Sequence, residues 1–168
     1  MISACDGKEK DDPSAWPIEP IELFIQINNE FGDNLLETAT EGNWHESTFQ
    51  CLFDNVIYRC DKNTEIDPAH IQDSEYFYGI TIAGLILNSD TTIPVIGFGA
   101  FSGKRQMDDD VVFSWPDGSK DVIRIKNTFY YNDKGYPITK RKYLLNGEES
   151  VNWITLVKKP LESIEPEE

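Results

Sequence analysis

Histidine is scarce in this chain: two in 168 residues, His45 and His70. Neither falls in an HxH, HExxH or other metal-ligand spacing. His45 lies in the loop-like stretch GNWHES and His70 in PAHIQD, so both read as surface residues rather than catalytic bases. No GxSxG nucleophile elbow is present. Long apolar runs are also missing. The longest, GITIAGLIL at residues 79–87, falls far short of the ~20 residues a spanning helix needs. That excludes a spanning helical anchor and leaves a lipid anchor open. Basic residues are few, 15 against 30 acidic, for a net charge of −15. Such a surface repels phosphate backbones, so no nucleic-acid partner is expected. It also disfavours a hold on anionic lipid through basic patches. Helical periodicity is nearly absent. Residues 67–72, with Pro68 at a first helical position, and residues 35–40 are the only short candidates.

What is present is strand after strand. The apolar fraction of 39% and the aromatic fraction of 12% suffice for one folded domain with a sizeable core. IELFIQI alternates, with Ile21, Leu23, Ile25 and Ile27 on one face. NEFGDN is a turn with Gly32 available for positive φ. FQCLFDNVIYRC predicts a hairpin turning at Asp54-Asn55. VVFSWPDGSKDVIRI predicts another, with a type I′ turn at Asp117-Gly118 that sets Phe113 opposite Val122 and Val112 opposite Ile123. KRKYLLNGEESVNWITLV predicts a third, centred on Asn146-Gly147. The whole reads as an all-β, immunoglobulin-like antiparallel β-sandwich of about eight to nine strands. It spans residues 21–159, behind an extended, proline-punctuated N-terminal tether at 6–20 and ahead of an acidic tail at 160–168.

The motifs that invite chemistry mostly decline it. GFGAFSGK (residues 97–104) fails as a phosphate loop. Five residues separate Gly97 from Gly103 where a Walker A motif needs four, Gly99 leaves only three, and Arg105 stands in place of the metal-binding hydroxyl. Ser102 likewise breaks a GxGxxG reading. The alternative is a strand whose glycines permit a bulge or close packing. Asp108, Asp109 and Asp110 form an acidic run read as a solvated loop before a strand. They are a weak Ca²⁺ candidate without EF-hand spacing, and no metal or cofactor is expected. Trp115 and Trp153 lie in strands and read as core, whereas Trp16 and Trp44 lie in tether and loop. These two are the candidates for stacking on a sugar, against the alternative that they fold back onto the domain.

Three cysteines divide into two kinds. In the predicted hairpin Cys51 faces Tyr58 and Phe49 faces Cys60. The two thiols then share a face diagonally, at about 7–8 Å. A disulfide takes Cα atoms within about 6.8 Å, so a bond needs strong twist or a bulge. Otherwise Cys51 and Cys60 are buried as small apolar residues. Cys5 instead sits ahead of DGKEKDD, with nothing local to pack against. Ile2-Ser3-Ala4-Cys5 resembles a bacterial lipobox, an aliphatic and two small residues before the cysteine that receives diacylglycerol. The basic and apolar parts of such a signal would then lie upstream of Met1, leaving residues 1–5 as a signal remnant with its acylation site.

With the lipobox-like start, the partly acidic DGKEKDD, and the body motifs INNEFGDNLL, FGAFSG, FSWPDGSKDVI and YLLNGEE, the chain resembles the small envelope lipoproteins of gut Bacteroidetes. The resemblance implies a β-sandwich held in the outer membrane by an acyl anchor on Cys5, on the cell surface or the periplasmic face. The expected function is a non-enzymatic binding or structural module, with a glycan or an envelope protein as its ligand. Two alternatives stand beside it: a subunit of a surface glycan-binding and uptake assembly, and a small envelope hydrolase.

Overall fold

The computed structural model describes residues 16–63, 79–88 and 90–162. Cys5, His70, the turn at 67–72, most of the tether and the end of the tail lie outside the described residues. The described chain is all-β and forms two sheets packed as a sandwich. Ten strands run in order: β1 (Ile21–Asn28), β2 (Phe49–Phe53), β3 (Val56–Cys60), β4 (Ile80–Asn88), β5 (Thr91–Phe101), β6 (Met107–Ser114), β7 (Lys120–Tyr131), β8 (Pro137–Leu145), β9 (Glu148–Ser150) and β10 (Trp153–Val157). One sheet has the order β10-β1-β5-β4 and the other β3-β2-β6-β7-β8-β9.

Strand β1 follows its alternation. Ile21, Leu23, Ile25 and Ile27 are fully buried, each contributing roughly 1.5–3 kcal/mol of hydrophobic stabilisation. The β2–β3 hairpin turns at Asp54 (φ 49°) and Asn55 (φ 62°), and its register sets Cys51 opposite Tyr58 and Phe49 opposite Cys60. Asn146 (φ 51°) and Gly147 (φ 90°) turn β8 into β9. In both turns the positive φ pair matches the right-handed twist of the flanking strands.

Four expectations need correction. The Val111–Ile125 segment pairs one residue out of the predicted register: Val112 meets Val122 and Phe113 meets Asp121. Pro116 explains this. It has no N–H with which to close the pair that flanks a two-residue turn. The chain instead closes Gly118 N–H onto the Trp115 carbonyl (3.0 Å), with positive φ at Gly118 (81°) and not at Asp117. The acidic run is strand rather than loop, since β6 begins at Met107 and carries Asp108 to Asp110. The segment after Gly147 is two strands in two different sheets: β9 pairs β8, and β10 pairs β1 in parallel, Phe24 against Trp153. This parallel pair departs from the antiparallel expectation. It joins the first strand to the last, where no hairpin constrains direction. Finally, residues 35–40 form successive turns rather than a helix, with Glu37 N–H on the Asn34 carbonyl and Thr40 N–H on the Glu37 carbonyl.

The glycine-rich stretch resolves as a bulge. The β1–β5 register shifts between Ile21 and Leu23. Opposite, Gly99 takes φ 135°, and a Cβ there would stand 2.8 Å from the Ile21 carbonyl oxygen. An aromatic column fills the space between the sheets. Phe53, Phe98, Phe101 and Phe113 meet edge-on or tilted, and Phe113 stacks on Trp115 with ring centres 5.3 Å apart.

Candidate functional site

Trp16 presents its indole to solvent. It is 49% exposed, and its ring centre lies 5.3 Å from that of Tyr136, itself 38% exposed. Tyr136 comes from the β7–β8 hairpin, which was not among the predicted hairpins. Its signal is Asn132-Asp133-Lys134-Gly135, a turn closed by Gly135 N–H on the Asn132 carbonyl (2.8 Å), with Gly135 at φ 79°. Trp16, with Tyr136 packed against it, lines a groove of about 610 Å³, whose polar lining includes Glu19, Thr139, Arg141, Tyr143 and Asn152.

Arg141 builds this site. Its guanidinium donates to the Pro20 carbonyl (2.7 Å), the Glu19 carbonyl (2.9 Å) and Asn127 Oδ1 (2.9 Å). Asn127 is itself buried and donates to the carbonyls of Gly103 and Arg105. Gly103 completes the seat, since a Cβ there would come within 2.2 Å of the Glu19 carbonyl oxygen. Residues 16–20 are therefore docked on the sandwich. This is the alternative given for Trp16, a segment folded back onto the domain. Pro17 and Pro20 offer no N–H, so the segment presents carbonyls, and Arg141 is the donor that meets them. Tyr143 reinforces the union of the sheets by donating its hydroxyl to the Glu22 carbonyl (3.1 Å), and burial raises its pKa.

Trp44 does the opposite of what its loop position suggested. It is fully buried, with its backbone N–H on the Leu35 carbonyl (2.6 Å) and its ring stacked near Trp115 at 6.4 Å. It cannot present a face to a ligand. The loop turns inward there because Leu35, Leu36 and Trp44 together close one end of the core. Trp115 is core as expected, and Trp153 is half-buried.

Cys51 and Cys60 are both free thiols. Burial, with a smaller contribution from charge nearby, pushes each up to about 12. Neutral buried thiols of this kind are poor nucleophiles. Asp108 and Asp110 lie on one face of β6, paired with Arg124 at 2.7 and 3.4 Å, while Asp109 lies on the other. Strand alternation thus separates the three carboxylates. Among the described residues no group of three His, Cys, Asp or Glu is placed to hold a metal ion. His45 sits in a turn, with its backbone N–H on Asn43 Oδ1 (3.1 Å).

A second polar cluster clasps the end of the sandwich away from the Trp16 groove, beside Trp44 and Trp115. Lys158, just past β10, meets Asp121 at 2.5 Å and Ser119 Oγ at 3.0 Å. Asp121 also accepts from the Trp115 indole (2.6 Å) and from Asn146 (2.9 Å). Burial alone would raise the Asp121 pKa, but the hydrogen bonds from Lys158, Asn146 and Trp115 outweigh it and hold the carboxyl below the ordinary range. A serine beside a lysine suggests a nucleophile and its base. Here Ser119 donates its proton to Asp117 (2.6 Å) while Lys158 donates to Ser119. A base must accept that proton, so the geometry makes a clasp between sheets rather than a dyad. No family model, curated protein or solved structure matches the chain.

Proposed function

We propose that the protein is a non-enzymatic binding module of the bacterial envelope, anchored in the outer membrane through acylated Cys5, and that its ligand is a carbohydrate. The observation that carries the ligand class is the half-exposed Trp16–Tyr136 pair beside a groove with amide, hydroxyl and guanidinium groups. An aromatic face takes the apolar face of a sugar ring, and fixed polar groups around it select the hydroxyls. Arg141 holds Trp16's segment in place, so little ordering cost remains for binding. The anchor rests on the lipobox-like Ile2-Ser3-Ala4-Cys5, and the domain sits a short tether away. Two or more acyl chains hold a protein on a membrane where one does not.

Two experiments test the two halves. An immobilised glycan panel probed with the full chain should return hits that Trp16→Ala loses. A panel without hits contradicts the carbohydrate reading. The precursor expressed in a host that acylates lipoproteins should partition into detergent and move to the aqueous phase on Cys5→Ala. If the variant still partitions, the acyl anchor is wrong.

A further inference from the structure

The outward face of the six-stranded sheet carries a charge unlike that of the rest of the chain. Strand register places Arg59, Lys120, Arg124, Lys126, Lys140 and Lys142 on it, against Asp108, Asp110 and Glu149. Six cations less three carboxylates make this face +3, in a chain whose total is −15. The lysines are also arranged against the interest of the fold. Lys126 and Lys142 are direct cross-strand partners. Like charges so opposed destabilise a sheet. Each leans toward a carboxylate only at 3.7 Å, on the exposed surface. Such pairs hold a cation weakly. Lys140 lies over the Tyr130 ring at 5.6 Å and has no carboxylate partner among the described residues.

This face adjoins the Trp16 groove across a single strand. In β8 the side chains of Thr139, Arg141 and Tyr143 line the groove, and Lys140 and Lys142 alternate to the outer face. Strand β9 covers β8 only from Tyr143 to Leu145, so among the described residues the Pro137-to-Lys142 edge has no neighbouring strand. A chain lying in the groove can pass over that edge and meet the lysines. We infer that the ligand of the Trp16 groove is an acidic polysaccharide, its sugar ring stacked on Trp16 and its carboxylates or sulfates carried onto Lys126, Lys140 and Lys142. The inference rests on the carbohydrate reading of the groove and adds the charge of the ligand.

The test is a titration of the full chain with polygalacturonate, a neutral glucan and a single-stranded DNA oligomer. Polygalacturonate should bind best. Its affinity should fall at least about fivefold as salt rises from about 50 to about 200 mM, because exposed charges are screened. The Lys126→Gln/Lys142→Gln variant should lose that salt dependence and at least about tenfold in affinity, with a melting midpoint at or above the parent's. If the neutral glucan binds as tightly and without regard to salt, the acidic-ligand inference is overturned and the carbohydrate reading stands. If DNA binds as well as polygalacturonate, the face is a general polyanion surface and the inference is overturned. A midpoint that drops in the double variant makes these lysines structural and overturns it too. If no polysaccharide binds, the carbohydrate reading itself falls.

Discussion

Arg141 reaches across 122 residues to the Glu19 carbonyl, and that contact decides what Trp16 is. Without it Trp16 belongs to a loose leash; with it the indole is a fixed wall. Asp121 and Lys158 matter in another way. Their side chains are only 9% and 10% exposed, so neither charge tolerates losing its partner. Lys158→Met should cost about 3–5 kcal/mol in urea unfolding, and adding Asp121→Asn should recover part of it. Asp121 also carries a pH signature. Its carboxyl is held below the ordinary range in the fold. Its stabilisation is therefore complete above the unfolded value of about 3.9 and is lost as pH falls through the lower folded value. The parent should lose more stability than Asp121→Asn between about pH 5 and pH 2, and equal slopes for the two would contradict this. At the two buried thiols, both pushed up to about 12, a disulfide-exchange reagent should find nothing to react with in native Cys5→Ala protein and two thiols after denaturation. Fast reaction of the native protein, or none after denaturation, would show that this description of Cys51 and Cys60 is mistaken.

Among elements, the legible ones were those settled by near neighbours. The β1 alternation and the Asp54-Asn55 and Asn146-Gly147 turns needed only local twist and burial. Elements settled at a distance were not legible. Pro116 moved the β6–β7 register by removing one donor, and that slip turned Asp121 inward beneath Lys158. β9 and β10 read as one strand because no proline or glycine interrupts residues 148–157, yet they pair with β8 and β1 in different sheets. Trp44 looked exposed because its neighbours are polar, and only the packing of Leu35 and Leu36 beside it draws the ring inside. Of the candidate site, Trp16 was legible as an exposed aromatic, whereas Tyr136 and Arg141 were not. The docked segment gives an element-scale test through Gly103, which lies against the Glu19 carbonyl. Gly103→Ala should displace residues 16–20 and weaken glycan binding about tenfold while the sandwich still unfolds in one cooperative transition. Unchanged binding would mean that the docked segment does not shape the site.

For the whole molecule, the arrangement of ends ties the parts together. The N-terminal segment enters beside the Trp16 groove, at the end of the sandwich where β1 begins, and the Lys158 clasp closes the other end. The anchor proposed on Cys5 would place this groove next to its own attachment. Charge is segregated as well, with an outer sheet face of opposite sign to the total. The proposed binding role needs a rigid sandwich that holds one aromatic wall steady. The most direct measurement is a calorimetric titration of the full chain and of Trp16→Ala with the best-binding glycan from the panel. Saturable binding should weaken at least about tenfold in Trp16→Ala, a loss of about 1.4 kcal/mol, with an unchanged melting midpoint. Equal affinity of the two proteins would contradict a sugar stacked on Trp16.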